Sequence, residues 1–425
     1  MIFIARYKGK TAVLSSFKKR KILNDPVYGF VSIPSAFLFG IVEHPYFQRL
    51  RRIKQLGLTH LVYPGALHTR FQHAIGAMHL MQQAVETLRL KGHTITDEEK
   101  EGAMAAILLH DAGHGPFSHA LENTIIAGTS HEQLSMMFFD TLNNEMDGSL
   151  SLARDIFADT YPKKFLHQLV ASQLDVDRLD YLKRDSFFSG VSEGVISSDR
   201  IIKMMDLHDD DLVVEAKGIY SIEKFIVARR LMYWQVYMHK TVLAAEYLLI
   251  KILLRARELA LNGHQQTASP PFKHFLENEF THEDLSRDPA LLKAFARLDD
   301  FDIFTAIKIW SDDDDRILSH LSSNMVNRRL PKTKIRNQPF DEDYIRSLKQ
   351  KVMKRYNLNE REAGYFVFSY KTNNYTYDSF KEKIKIKYKD DSILDFIEAS
   401  GQFSEGVYSG TESKYFLCYP KTLDE

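Results

Sequence analysis

The stretch His110-Asp-Ala-Gly-His-Gly-Pro-Phe-Ser-His119 decides how this sequence folds and which chemistry it carries. It follows the apolar run at residues 105–109, which predicts a buried helix that ends at His110 and the aspartate after it. His114 lies four residues after His110 and would return to about the same face if helical geometry continued. Glycine and proline then break the helix, so that His119 could fold back over the same place. The stretch therefore predicts imidazole and carboxylate groups gathered at one helix end.

Histidine is concentrated around this stretch. Ten of the 17 histidines fall within residues 44–131. Imidazole together with carboxylate suits a borderline or hard divalent cation such as Zn, Mn, Fe or Ni. A single histidine is often a surface or satisfied core residue, but that reading does not account for the ordered set as a whole. The set consists of His73, His110, Asp111, His114 and His119, whereas His44, His60, His79 and His93 are interpreted as bystanders.

The overall composition is that of an ordinary globular protein. In 425 residues, 56 Lys and Arg balance 56 Asp and Glu, and 44% of residues are hydrophobic, which excludes disordered and fibrous classes and disfavours a dedicated nucleic-acid binder. The single cysteine, Cys418, rules out an intrachain disulfide framework and favours a reducing compartment, so we expect a cytoplasmic protein. The apolar start before Arg6 is too short for a signal peptide. No run of 18 apolar residues predicts a membrane span.

Turn residues and periodicity divide the chain into four parts. We predict a strand-and-turn segment at 1–40, a helical core at 41–262, a helical extension at 263–338 and a small α+β module at 339–425. Core helices are predicted at about 71–90, 97–110, 131–143, 164–185, 197–206 and 221–261, with a short hairpin at 212–218 between the last two. The capping-type run from Thr96 to Glu99 opens the second of these helices. The predicted class is mainly α, with short β-hairpins.

Two further helical faces carry polar groups at i, i+4 and i+8. On the first, Asp177 could supply another carboxylate to a metal, while Tyr181 and Asp185 would point toward a polar edge of a substrate. Taken alone, this face could be a charged surface helix. The second combines an arginine with two aromatic rings, which suits a phosphate beside a flat ring, although aromatics at this spacing are often core residues. It comprises Arg229, Tyr233 and Tyr237.

The ordered set of motifs resembles the HD-domain phosphohydrolases. Within them it is similar to the deoxynucleoside-triphosphate (dNTP) triphosphohydrolases, which include bacterial dGTPase-like enzymes and animal proteins that join a SAM domain to an HD domain. The resemblance is strong over about residues 20–245, weaker to about 335, and does not extend to the tail. We expect no SAM domain in this chain. The matching segments are 24–29, 47–57, 62–73, 110–119, 130–133 and 175–185.

The resemblance implies a helical HD core at 41–262 that hydrolyses dNTPs to deoxynucleoside and inorganic triphosphate with a divalent metal: Mn, Mg, Fe, Ni or Zn. The implied metal ligands are His73, His110, Asp111 and Asp177. The implied catalytic residues are His114, His119 and His131, with His119 as the general acid on the 5′ oxygen. The implied triphosphate-binding residues are Arg70, Arg178, Tyr181 and Arg229. The implied sugar-binding residues are Gln55 and Asp185, which address the 3′-hydroxyl, and Tyr237, which leaves little room for a 2′-hydroxyl.

Some positions depart from the animal pattern. Arg178 stands where the animal enzymes carry lysine, so the charge is kept but the hydrogen-bond geometry changes, and Tyr233 replaces a histidine. The animal members also bind an activating nucleotide at subunit contacts, where Glu43 replaces the aspartate that reads guanine. The corresponding positions could instead support only the fold or an interface. They are Lys21, Glu43, Gln48, Arg51, Arg328 and Lys332.

Two other functions stay open at this point. One keeps the HD site but acts on a nucleoside monophosphate, a cyclic nucleotide or a short oligonucleotide; the set Tyr181, Asp185 and Arg229 favours the triphosphate instead. The other is a nucleic-acid-binding or nucleotide-sensing protein, suggested by the basic segments 18–21 and 49–52. A pure binder has no use for a complete metal-ligand set, which opposes this second alternative. The expected partners are a dNTP substrate, an activating nucleotide and further copies of the chain in a dimer or tetramer, with no membrane.

Overall fold

The computed structural model describes residues 21–117, 121, 124–126, 128–374, 383–401 and 412–424. Within these residues the chain is mainly helical and carries three small sheets, as the sequence predicts. None of the helices in these segments is long and apolar enough to cross a membrane.

Helices account for most of the described elements. They are α1 (Ala36–Glu43), α2 (Pro45–Gln48), α3 (Arg70–Leu90), α4 (Asp97–Leu109), α5 (His131–Glu145), α6 (Ser151–Phe157), α7 (Lys164–Val170), α8 (Val176–Ser189), α9 (Ser198–Met204), α10 (Ile219–Met232), α11 (Lys240–Leu261), α12 (Pro270–Glu277), α13 (His282–Arg287), α14 (Pro289–Phe295), α15 (Asp300–Trp310), α16 (Arg316–Val326), α17 (Glu342–Tyr356), α18 (Glu360–Ala363) and α19 (Phe396–Ala399). Short 3₁₀ turns lie at Arg49–Arg52, Gly57–Leu61, Ser192–Gly194, Ala216–Gly218 and Lys421–Leu423, and one π-helical turn lies at Tyr233–Tyr237.

The strands form one isolated hairpin and two sheets that include strands from the tail. They are β1 (Lys21–Asp25), β2 (Gly29–Ile33), β3 (Met205–His208), β4 (Asp211–Glu215), β5 (Lys332–Arg336), β6 (Phe368–Asn374), β7 (Lys385–Lys387), β8 (Ile393–Asp395) and β9 (Glu412–Tyr419). The sheet orders are β1-β2, β3-β4-β7-β8 and β5-β9-β6. Strand β7 runs parallel to β4 and places Ile386 beside Val214, so the tail extends a hairpin of the core.

Helix α3 is the central element of the core. Its first turn is fixed by Gln72, whose side chain accepts a 2.8 Å hydrogen bond from the backbone N–H of Thr69. Along its length it is largely buried, and it packs against α4 and α8. Helix α4 has the predicted capping box between Thr96 and Glu99 and ends at Leu109, directly before His110. These three helices therefore carry the candidate metal ligands into the same region of the core.

Two long helices of the sequence prediction are interrupted. The prediction of one helix at 164–185 is wrong, because α7 ends at Val170 and α8 begins after Asp175. Asp175 caps α8 by accepting hydrogen bonds from the backbone N–H groups of Ser172 (2.8 Å) and Arg178 (2.7 Å). The prediction of one helix at 221–261 is also wrong, because the π-helical turn at Tyr233–Tyr237 separates α10 from α11.

Candidate metal centre and adjoining cavity

Three of the four predicted metal ligands converge in the core. The side chains of His73, His110 and Asp177 each offer a ligand atom, and these atoms all lie within 4.8 Å of one another. Oδ1 of Asp177 lies 2.9 Å from Nε2 of His73 and 3.4 Å from Nε2 of His110. Both Nε2 atoms are buried and neither makes a well-formed hydrogen bond within the described part of the chain. Buried imidazole nitrogens left in this way beside a carboxylate fit a divalent cation.

The opposite ring nitrogens orient the two imidazoles. Nδ1 of His73 lies 2.8 Å from Oδ2 of Asp180, and Nδ1 of His110 lies 2.6 Å from the carbonyl oxygen of Ile107. Each Nδ1–H can donate to its oxygen, which leaves the lone pair of each Nε2 directed into the cluster. The tautomers that a metal site needs are therefore set by residues outside the predicted ligand set.

Asp111, the fourth predicted ligand, lies at the edge of this cluster. Its Oδ1 is 3.4 Å from Nε2 of His110, and its Oδ2 is 3.9 Å from Nε2 of His73. Oδ2 also accepts a 2.5 Å hydrogen bond from Nη1 of Arg70. The carboxylate therefore lies between the cluster and a buried guanidinium group.

His114 and His131, two of the predicted catalytic residues, stack beside Asp111. Their ring centroids are 3.9 Å apart with an interplanar angle of 14°, and Nε2 of His114 lies 3.2 Å from Oδ1 of Asp111. His114 does not continue α4, since the chain turns after Leu109. The third, His119, lies outside the described residues, so its predicted role stays a prediction.

The turn that carries these groups is held by contacts that the sequence does not reveal. A Cβ on Gly113 would come within 2.1 Å of the carbonyl oxygen of His131, so only glycine allows α5 to approach this closely. Ser135 accepts a 2.9 Å hydrogen bond from the N–H of Gly113 and donates one of 2.7 Å to the carbonyl of His110. Arg49, which is fully buried, donates 2.8 Å hydrogen bonds to the carbonyl oxygens of Ala112 and His114.

The charges in the cluster act against the effect of burial. Burial disfavours the charged form of His73, but the carboxylates of Asp177 and Asp180 raise its pKa to about 10, so a bound cation would take the place of the proton on Nε2. Burial likewise opposes ionisation of Asp177, yet His110 and His73 hold the pKa of that carboxyl well below its usual range. For His114, burial and then the charge of Arg70 lower the pKa to about 3. The pocket thus keeps its carboxylates ionised in a buried place that favours a cation.

A cavity of about 440 Å³ adjoins the cluster through Arg70 and Arg178. All seven predicted substrate-binding residues line it: Gln55, Arg70, Arg178, Tyr181, Asp185, Arg229 and Tyr237. Tyr233 also lines the wall, together with Lys54, Phe117 and Arg230. The cavity therefore brings together cationic and aromatic side chains that lie far apart in the sequence.

One wall of the cavity is a hydrogen-bonded triplet. Asp185 accepts a 2.7 Å hydrogen bond from the hydroxyl of Tyr237, and its other oxygen lies 2.7 Å from Nε2 of His68. His68 is stacked on Phe188, with ring centroids 4.6 Å apart. On the same cavity, Oε1 of Gln55 is buried and has no hydrogen-bond partner among the described residues. This wall offers polar atoms at fixed positions to a ligand.

Two arginines that line the cavity are anchored by neighbouring groups. Nε of Arg178 donates a 2.7 Å hydrogen bond to the carbonyl of Ser172 and lies 3.2 Å from Asp175. Nη1 of Arg229 donates a 2.9 Å hydrogen bond to Gln173. Burial and the neighbouring charge of Arg178 both lower the pKa of Arg229. Two guanidinium groups held close together in this way fit an anionic ligand.

The residues predicted for an activating nucleotide fall in two places. Around α1 and α2, Nε of Arg51 donates a 2.9 Å hydrogen bond to Gln48, the charge of Glu43 acts on Arg51, and Lys21 lies over the ring of Phe39. In the other place, Arg328 donates a 2.7 Å hydrogen bond to the carbonyl of Leu61, and Lys332 lies 2.6 Å from Asp424.

Sequence analysis missed several residues that support the site. Asp180, Arg184, His68, Arg49 and Asp25 are all buried and all make polar contacts near it. All five lie inside segments that were singled out by motif, but the sequence pattern gave no sign that their side chains are buried. Asp180 and Arg184 pair with each other, but their remaining side-chain partners, Asp25 and His73, are distant in sequence, so only the tertiary structure identifies them.

Comparisons with known proteins match the part of the chain that carries these residues. The HD domain family matches residues 70–185, and the HD associated region matches residues 196–269. The chain is 36% identical over 320 residues to the uncharacterized protein YwfO of Bacillus subtilis, which covers 73% of this chain and 71% of the relative. It is 29% identical over 299 residues to a deoxynucleoside triphosphate triphosphohydrolase homologue of Dictyostelium discoideum, covering 66% of this chain and 58% of that protein.

Solved structures give the same picture. A phosphohydrolase from Bacteroides thetaiotaomicron superposes with a TM-score of 0.92 and 53% identity, covering 94% of this chain and 100% of that one. A hypothetical protein from Aquifex aeolicus, with a TM-score of 0.70 and 24% identity over 95% of this chain, shares the fold. Together with the converging His73, His110 and Asp177, these matches place the function in a known class. The chain belongs to the HD-domain phosphohydrolase family.

Proposed function

We propose that this phosphohydrolase cleaves deoxynucleoside triphosphates to deoxynucleoside and inorganic triphosphate with a divalent cation held by His73, His110 and Asp177, and with Asp111 beside it. The observation that carries the proposal is the cavity next to this cluster, which combines four arginines with a tyrosine- and carboxylate-lined wall. A nucleoside monophosphate or cyclic nucleotide has a single phosphate and little need for Arg70, Arg178 and Arg229 together. The named homologue of Dictyostelium discoideum supports the same substrate class.

Triphosphate binding follows from the anchored arginines. Arg178 and Arg229 are fixed by Ser172 and Gln173 before any ligand arrives, so little side-chain entropy is lost on binding. Guanidinium groups suit phosphate oxygens because they can donate two parallel hydrogen bonds. Tyr181 lies one turn after Asp177 on α8, where its hydroxyl is 3.5 Å from Nη1 of Arg178.

Sugar recognition is assigned to the cavity wall formed by Asp185, Tyr237 and His68. Asp185 is held from both sides by His68 and Tyr237, so one carboxylate position is available to accept a hydrogen bond from the 3′-hydroxyl. The unpartnered Oε1 of Gln55 offers a second acceptor among the described residues. The ring of Tyr237 closes the space beside the 2′ carbon and disfavours a ribonucleotide.

Hydrolysis replaces the bond between the α-phosphorus and the 5′ oxygen with a bond to the oxygen of water, and a proton moves to the 5′ oxygen. A bound divalent cation supplies an activated water and polarises the phosphoryl oxygen. Arg70 and Arg178 stabilise the charge that grows on the phosphate oxygens during the reaction. The proposed proton donor to the 5′ oxygen is His119, and the stacked pair of His114 and His131 lies beside Asp111.

The decisive experiment is a product analysis. The chain is incubated with each dNTP and each NTP in the presence of Mn²⁺, Mg²⁺, Fe²⁺ or Ni²⁺, and the products are separated by ion-exchange chromatography. The proposal expects deoxynucleoside and intact triphosphate from dNTPs, with the Asp177→Asn variant inactive. Release of pyrophosphate or orthophosphate, or turnover of monophosphates and cyclic nucleotides alone, would contradict it.

Regulation by an activating nucleotide in a dimer or tetramer is part of the same proposal. It is supported by the group of Glu43, Gln48 and Arg51, in which the exposed Arg51 already contacts the half-buried Gln48. Sedimentation velocity with and without dGTP or GTP, on the unaltered chain and on Arg51→Ala, tests it. The expected result is a larger species and a faster rate that Arg51→Ala loses; no change of mass and no change of rate would remove it.

A further inference from the structure

A buried ionic chain connects the N-terminal hairpin to the metal cluster. It consists of Asp25, Arg184 and Asp180, and it ends on Nδ1 of His73. Nη1 of Arg184 donates a 2.7 Å hydrogen bond to Oδ2 of Asp25. Nε and Nη2 of the same guanidinium donate to the two oxygens of Asp180 at 2.9 and 3.0 Å. Oδ2 of Asp180 then lies 2.8 Å from Nδ1 of His73.

Every member of this buried ionic chain is removed from solvent. Asp25 is 7% exposed, and Arg184, Asp180 and His73 are 0% exposed. A buried ion pair contributes little net stability against a well-packed apolar alternative, whereas removing one partner is costly. Stability alone is therefore a weak reason for three charged side chains in the core, and their alignment on a candidate metal ligand suggests another role.

Helix α3 has a glycine at the point where the ion pair of Arg184 and Asp180 packs against it. Gly76 lies on α3, three residues after His73, and a Cβ at that position would lie 2.1 Å from both Nη2 of Arg184 and Oδ1 of Asp180. No side chain larger than hydrogen fits there without displacing the ion pair. The absence of a side chain at Gly76 and the bidentate contact between Arg184 and Asp180 are thus two parts of one arrangement.

We infer that Asp25 is a positioning residue for the metal centre, acting through Arg184 and Asp180 on the orientation and tautomer of His73. Asp25 fixes Arg184, which fixes both oxygens of Asp180, which holds the Nδ1–H of His73 and leaves its Nε2 for the cation. The inference rests on the metal centre of the proposed function but not on the identity of the substrate. It couples the β1-β2 hairpin to metal binding.

The variant Asp25→Asn separates the proposed role of Asp25 at the metal centre from its role in the turn between β1 and β2. Oδ1 of Asp25 accepts hydrogen bonds from the backbone N–H groups of Val27 (2.9 Å) and Tyr28 (3.0 Å), and the amide oxygen of asparagine can keep both. The amide NH₂ would then face Arg184, so only the ionic link is lost. Asp315→Asn is the matched control, because Asp315 also accepts a backbone hydrogen bond at the start of a helix, α16, and pairs with an arginine, Arg255, that belongs to neither the ionic chain nor the cluster.

The experiment measures Mn²⁺ affinity by calorimetry on the metal-stripped full chain and the absorption spectrum of bound Co²⁺. Asp25→Asn is expected to weaken Mn²⁺ binding about tenfold and to change the Co²⁺ spectrum, since outer residues of metal sites typically have effects of about 10–100-fold. Asp315→Asn is expected to leave both unchanged even if the melting temperature falls equally. Unaltered Mn²⁺ affinity and spectrum in a folded Asp25→Asn would overturn the inference.

A second pair of variants guards against misfolding. Gly76→Ala should weaken Mn²⁺ binding by displacing the pair of Asp180 and Arg184, whereas Gly40→Ala on α1 meets nothing within 4 Å and serves as the helical glycine control. If Gly76→Ala folds and binds Mn²⁺ like the unaltered chain, the inference fails. A chain that binds Mn²⁺ but cleaves no dNTP would refute the proposed substrate and leave this coupling intact; a chain that binds no divalent cation would refute both.

Discussion

The hydroxyl of Tyr237 donates a 2.7 Å hydrogen bond to Oδ2 of Asp185, although Tyr237 lies in a π-helical turn and Asp185 on α8. Burial, and then the charge of Asp185, raise the pKa of Tyr237 well above its usual range, so the hydroxyl stays a donor at any working pH. The pair therefore presents a fixed ring face and a fixed carboxylate to the cavity. This geometry makes sugar selectivity testable at one position.

Removing the ring of Tyr237 should relax the choice between deoxyribose and ribose. In Tyr237→Ala the space beside the 2′ carbon opens, so kcat/KM for NTPs should rise relative to that for dNTPs by about tenfold, as expected when one steric contact of about 1.4 kcal/mol is lost. Tyr237→Phe keeps the ring and loses only the bond to Asp185. It should keep the discrimination while raising KM for dNTPs.

The measurement is steady-state kinetics with dATP and ATP for the three proteins. Tyr233→Phe, which also lines the cavity and also keeps its ring, serves as the control. If Tyr237→Ala discriminates against ATP as strongly as the unaltered chain, the 2′-hydroxyl is excluded elsewhere.

Loss of a histidine from the metal cluster should abolish both metal content and turnover. In His110→Ala, two of the three converging ligands remain, and dNTP hydrolysis should fall by at least about 100-fold because the activated water is lost. His93→Ala removes a histidine that pairs with Asp206 (2.6 Å) beside the β3-β4 hairpin and should keep normal metal and rate. Metal content by mass spectrometry and hydrolysis rates are measured on the same preparations of both variants. Normal hydrolysis and metal content in His110→Ala would exclude this site.

Glu99 should make the helix that leads to the metal cluster sensitive to acid. Its carboxylate lies 2.7 Å from Lys163 and accepts bonds from Tyr161 (2.7 Å) and from the N–H of Thr96 (2.8 Å). Burial opposes its ionisation, but these partners lower its pKa below the usual value. A depressed carboxyl pKa means that the stabilisation is complete above the pKa of the unfolded chain and is lost as pH falls through the lower folded value.

The variant Glu99→Gln tests this dependence. It should melt a few degrees lower than the unaltered chain at pH 7, and the difference should shrink steadily below about pH 4.3, the usual glutamate pKa. Melting curves between pH 3 and pH 8 give the result. Glu98→Gln is the control, since Glu98 lies on the exposed side of the same first turn. A difference that is constant with pH would show that the charge of Glu99 is not what stabilises α4.

The sequence grouped His73, His110 and Asp177, which converge in the structure, but it did not identify the residues that hold them in place. His110 and the aspartate after it stand at the end of an apolar run. The same run buries α4 in the structure, so the end of the predicted helix coincides with the end of the observed one. The interruption at Asp175 was missed, because periodicity on either side of a cap looks continuous. The π-helical turn at 233–237 has no composition that distinguishes it from an α-helix, so the position of Tyr237 relative to Arg229 could not follow from spacing.

The supporting charges were missed for a different reason. Arg184 and Asp180 are four residues apart on a helix, a spacing that usually indicates a solvated surface pair. Their burial depends on Gly76 and Asp25, which are more than 100 residues earlier in the chain. A linear pattern carries no information about such distant partners, so the ligands were predictable and their supports were not.

Among the basic residues at 49–52, replacement of Arg49 should destabilise the fold most. It is fully buried and donates to the carbonyls of Ala112 and His114, with its guanidinium 5.2 Å from the ring centroid of Phe295. Arg49→Met fills similar volume but leaves two buried carbonyls without donors, at about 1–3 kcal/mol each. Arg52→Met loses only an ion pair with Asp299, in which the arginine side chain is 46% exposed, and should cost at most about 1 kcal/mol. Urea unfolding of both variants measures the difference, and equal midpoints would mean that the turn holding His114 does not depend on Arg49.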